Sequence, residues 1–68
     1  MTKIYEAIAE RIKRVYSLRR DGQMKSAKDE LIETKRDFHT YWDKLSIEQR
    51  VEFMGNLKRL DNLFRTKT

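Results

Sequence analysis

A chain of 68 residues with no cysteine, no proline and two glycines has room for one small core and no second domain. A core of that size supplies only about 3–5 kcal/mol of net stability. Without cysteine there is no disulfide or thiolate metal site, and the longest apolar run, Ala7 to Ala9, is too short for a membrane span or signal peptide. The composition therefore predicts a soluble, cytoplasmic protein. Sixteen Lys and Arg against eleven Asp and Glu give a net charge of +5, a mild excess whose distribution carries more information than its size.

Three segments with helical period follow one another. The first runs from about Lys3 to Arg20, with Ile4, Tyr5, Ile8, Ile12, Val15 and Tyr16 at the three- and four-residue steps of one helix face. Asp21-Gly22 ends it, because glycine enters the left-handed C′ conformation without steric penalty. The second runs from about Gln23 to Lys44. Met24, Leu31, Phe38 and Leu45 are spaced by seven, and Ala27, Thr34 and Tyr41 lie three residues after the first three. This is an a/d heptad along roughly 30 Å of helix, widened at its end by Trp42. The third begins at Ser46-Ile47-Glu48-Gln49, which fits a capping box. Its apolar residues Ile47, Val51, Phe53, Met54, Leu57, Leu60, Leu63 and Phe64 cover more than half of the helix, with Gly55 on the polar side. So wide an arc suits a helix wedged between two partners, or one with surface left for another chain.

Two short connections make consecutive helices antiparallel, so the expected fold is all-α, a small up-down-up bundle of three helices over residues 1–65 with a frayed tail at 66–68. A break in the second helix near Lys35–His39 would give four short helices instead.

That topology reorganises the charge. Residues 11–28 hold seven cations against Asp21, net +6, and residues 58–68 hold four against Asp61, net +3. Residues 1–10 and 29–57 together hold −4. The end of the first helix, the start of the second and the end of the third meet at one end of the bundle, which becomes a basic pole around the Gly22 turn. Several Lys and Arg in one accessible patch are what phosphate-backbone binding requires. Arg11, Arg14, Arg19, Arg20, Lys25 and Lys28 are the expected nucleic-acid contacts, flanked by Lys58, Arg59, Arg65 and Lys67. Free backbone N–H groups at Gln23–Lys25 and the helix dipole add to the positive potential. Cations at helix C-termini also complement the dipole with no ligand present, at about 0.3–1 kcal/mol each. Arg19 falls on the apolar face of the last turn, where it either snorkels outward or is held by a ligand.

Other chemistries find less support. The aromatics Tyr5, Phe38, Tyr41, Trp42, Phe53 and Phe64 lie on core stripes or far from the pole, which leaves Tyr16 as the one to examine for base stacking. His39 is the only histidine, without a second imidazole or the spacing of a zinc helix, and no Gly-rich phosphate loop exists. No enzyme, metal or cofactor is expected. Helix 1 is basic and amphipathic, but its apolar stripe is fully used by a three-helix core, so a membrane partner is not expected.

The segment from Leu18 to Ala27, with Gly22 ending one helix and Ala27 five residues later, resembles the inter-helix turn of tetratricopeptide repeats, although a single copy makes only a tight helical hairpin. In size, helix count and basic pole the chain is similar to the HRDC modules of RecQ-type helicases, and to the small lysine-rich accessory proteins encoded beside helicases in T4-type phages. Those resemblances imply electrostatic DNA binding in replication, recombination or repair. The second expectation is a protein-interaction module, an adaptor or inhibitor that docks an acidic partner or self-associates through Phe53, Leu60 and Leu63. Either way the chain is expected to be a monomer or weak dimer.

Overall fold

The computed structural model describes residues 3–65, which form three α-helices and no strand: α1 (Lys3–Arg20), α2 (Met24–Thr40) and α3 (Ile47–Arg65). The tail at 66–68 lies outside the described residues. The molecule is elongated, 38 × 18 × 15 Å, little longer than its helices, as an up-down-up arrangement requires. Among the described residues no helix is long and apolar enough to cross a membrane.

The α1–α2 hairpin is set by the turn between them. Gly22 takes φ +84, and the chain closes on itself in a Schellman motif. The Gln23 N–H donates to the Leu18 carbonyl at 2.9 Å and the Gly22 N–H to the Arg19 carbonyl at 3.1 Å. Ala27 is fully buried in the next turn, where its small side chain packs in the core between the helices.

The core is the predicted stripe of each helix: Ile8, Ile12 and Val15 from α1, Ala27, Leu31 and Phe38 from α2, and Phe53, Leu57 and Leu60 from α3, with Leu45 closing the far end. Thr34 occupies a heptad position without exposing its hydroxyl. It is fully buried, and its Oγ1 donates to the Glu30 carbonyl at 2.7 Å, which satisfies the polar group inside its own helix. Met24 and Tyr41, at the two ends of the same stripe, stay about two-fifths exposed.

Three expectations need correction. α2 does not break at Lys35–His39, nor does it reach Lys44. It ends at Thr40, and Trp42–Lys44 form a single 3-10 turn. The tighter winding swings Leu45 into the core and sets the Trp42 ring edge-on to Phe38 at 5.2 Å. Arg50 locks this corner. Its Nε donates to the Trp42 carbonyl at 2.9 Å, and its guanidinium lies over the indole at 4.7 Å. The third correction concerns α3, whose wide apolar arc is split rather than shared. Phe53 and Leu60 are buried, and Leu63 is partly buried against the core, so they are not open for a partner. Ile47, Val51 and Met54 face outward instead. The capping box forms as expected: the Gln49 N–H donates to Ser46 Oγ at 3.1 Å and the Ser46 N–H to Gln49 Oε1 at 3.0 Å.

Candidate nucleic-acid interface

Helix register fixes how high each cation stands. Phe53 stacks on Tyr5 at 5.1 Å and meets Phe38 at 6.0 Å, so α3 passes the free ends of α1 and α2 at this level. From there it advances about 1.5 Å per residue towards the Gly22 turn. Arg65 is therefore roughly 18 Å further along, beside the turn, whereas Lys58 and Arg59 reach only about 8–9 Å, half-way.

The ten expected contacts accordingly separate. Arg20, Lys25 and Lys28 are exposed around the Gly22 turn, Arg65 is exposed at the matching end of α3, and Arg19 is partly buried between them. Arg14 is exposed one to two turns below, in a shallow surface depression with Glu10, Lys13 and Ser17. Lys58 and Arg59 make a second exposed pair at mid-height on α3. Lys67 lies outside the described residues. Arg11 departs from the expectation, because its guanidinium is already used inside the fold. Its Nη1 reaches Glu30 at 3.1 Å and its Nε reaches Asp37 at 2.8 Å. The two carboxylates that meet it come from the neighbouring helix, which only tertiary packing brings near.

Ion pairing divides the molecule in the same way. The described salt bridges are Arg11 with Glu30 and Asp37, Lys35 with Asp61 at 2.7 Å, and two surface pairs, Lys13 with Glu10 and Arg36 with Glu33. All stand below the Gly22 turn. Among the described residues, Arg19, Arg20, Lys25, Lys28 and Arg65 form no ion pair, and the acids nearest to them in the chain around the turn are Asp21 and Asp29.

Two local features sharpen the pole. Gln23 precedes α2 without a side-chain cap, so the first amides of α2 point outward beside Lys25. The Arg19 Nε is buried and has no hydrogen-bond partner, while the rest of its guanidinium lies at the edge of the core.

Aromatic stacking does not belong to this site. Tyr5, Phe38, Trp42 and Phe53 form one cluster at the opposite end, and Tyr16 is partly buried against the core. His39 is exposed, and no group of three or more His, Cys, Asp or Glu side chains converges among the described residues. What the described surface offers at the turn is a set of exposed cations. No protein-family model matches this chain, and no curated protein or solved structure is significantly similar to it.

Proposed function

We propose that this chain is a non-enzymatic nucleic-acid-binding accessory protein, acting in the cytoplasm on DNA during replication, recombination or repair. The observation that carries this reading is the set of unpaired cations around the Gly22 turn, in a fold whose other arginines and lysines are partly neutralised by carboxylates. A phosphate backbone suits such a surface, because each neutralised phosphate releases condensed counterions. Arg20, Lys25, Lys28 and Arg65 contact phosphates directly, Arg14 extends the track along α1, and Arg19 presents the free edge of its guanidinium. Contacts to the backbone position a protein without reading sequence, so binding is weak and tolerant of sequence.

NMR titration with short single- and double-stranded DNA at low salt tests this reading. The expected result is a set of shifts centred on residues 19–28 and the end of α3, with Arg20→Glu and Lys25→Glu weakening all sequences alike. Absence of binding at low salt, or shifts centred on the Trp42 end, would refute it.

A further inference from the structure

The outward face of α3 has a property that the basic pole does not use. Ile47, Val51 and Met54 are 73%, 63% and 51% exposed, and they follow the four- and three-residue steps of one helix stripe. Gly55, one turn after Val51, lies beside this exposed apolar stripe rather than on a separate polar side, with nothing within 4 Å of the position a Cβ would take. The fold gives this glycine no internal reason. It is not in a left-handed conformation, it admits no close neighbour, and a helix interior disfavours it relative to alanine. What a bare helix surface of this kind permits is the close approach of a second helix.

We infer that this face binds a second copy of the same chain, with the two α3 helices antiparallel about a two-fold axis at the level of Phe53. That register sets Val51 opposite the partner's Gly55, a branched side chain against the position with none, and the symmetry repeats the contact. It also sets Glu48 opposite the partner's Lys58, one residue from the partner's Arg59. Glu48, Lys58 and Arg59 form no ion pair within the described chain, so two symmetric acid–base contacts flank the apolar centre. Ile47 then packs across the aliphatic stems of those cations. A two-fold interface must be self-complementary in this way, and the sequence of this one helix supplies both halves.

The extent of the patch sets the strength. An aliphatic side chain buries roughly 60–120 Å², so six of them, each about two-thirds exposed beforehand, cover on the order of 400 Å² of apolar surface. Stable interfaces bury about 1,200 Å² or more in total. The dimer is therefore weak, forming between micromolar and millimolar concentration. Its two basic poles point away from each other, since antiparallel α3 helices end at opposite sides. This inference does not depend on nucleic-acid binding and is tested without it.

Sedimentation equilibrium of the full chain over that concentration range should show the mass rising from 8.3 kDa towards twice that value. Gly55→Gln should raise the dissociation constant about tenfold or more by blocking the close approach. It fills open space in a helix that favours glutamine over glycine, so circular dichroism should show its fold intact. Glu48→Arg should weaken the dimer, and the same change combined with Lys58→Glu and Arg59→Glu should restore it. A mass fixed at 8.3 kDa into the millimolar range would overturn the inference. So would a Gly55→Gln protein that dimerises as well as the parent, or a triple variant no tighter than Glu48→Arg alone.

Discussion

Phe53 lies where all three helices converge, 1% exposed, stacked on Tyr5 and edge-on to Phe38. Truncation to alanine removes the ring on which Tyr5 and Phe38 pack, leaves a cavity between the helices, and costs about 3–5 kcal/mol. Because a domain this small has about that much stability in total, Phe53→Ala should be largely unfolded by far-ultraviolet circular dichroism at room temperature. Thr34 is equally buried but should behave differently. Its hydroxyl donates to the Glu30 carbonyl, which the Thr34 backbone N–H also reaches as part of the helix, so Thr34→Val leaves no buried group unpaired and should shift urea stability by less than about 1 kcal/mol. Tyr5 supplies the pH dependence. Its hydroxyl donates to Glu52 at 2.9 Å, and that bond raises its pKa above the usual 10.0, with desolvation and the carboxylate charge acting in the same direction. The neutral phenol is thus favoured by folding. Its contribution is complete below pH about 10, the unfolded value, and is lost as pH rises through the higher folded value. In a spectroscopic titration, Tyr5→Phe should delete a tyrosinate transition displaced above pH 10, and a Tyr5→Phe chain with the parent's titration curve would refute the assignment.

Each helix carries one feature that decides its boundary or its neighbour. Gly22 and Gly55 make a controlled pair. At Gly22, φ is +84, so Gly22→Ala forces an L-residue into the left-handed region and should cost about 1–2 kcal/mol. At Gly55 the backbone is helical and the space is open, so Gly55→Ala should add about 1 kcal/mol. Thermal unfolding of the two variants should move the midpoint in opposite directions. These features differ in how far sequence reveals them. The Schellman turn, the capping box and the heptad of α2 are local, and short-range chemistry fixes them, which is why Gly22, Ser46 and Leu31 can be placed from spacing alone. The end of α2 at Thr40 is not local. It depends on Trp42 finding Phe38, and on Arg50, eight residues later, closing over the indole. The same limit applies to α3, where periodicity gives an apolar arc but only packing decides that Phe53 goes inward and Val51 outward.

Across the whole molecule, charge is arranged along the long axis. The ion-paired cations Arg11, Lys13, Lys35 and Arg36 stand in the body of the bundle, Arg19, Arg20, Lys25, Lys28 and Arg65 are unpaired at the Gly22 end, and Arg14, Lys58 and Arg59 are unpaired between the ends. Helix order and segment charge are what point to a basic end in the sequence. What they could not reveal is that Arg11 is taken up by Glu30 and Asp37, because a carboxylate partner from another helix has no sequence spacing. This gives a contrast that separates fold from function. Arg11→Ala leaves two partly buried carboxylates, two turns apart on α2, without their cation and should lower stability by about 1–2 kcal/mol with little loss of DNA affinity. Arg20→Ala should do the reverse. The most direct test of the account is the salt dependence of DNA binding by the intact chain, followed by fluorescence anisotropy on duplex. With about four to six phosphates neutralised, the logarithm of the association constant should fall with the logarithm of salt at a slope near −4 to −5. Loss of one pole cation, as in Arg20→Ala, should reduce that slope by about 1. A flat salt dependence, or a slope unchanged by removal of Arg20, Lys25 and Lys28 together, would contradict the central claim.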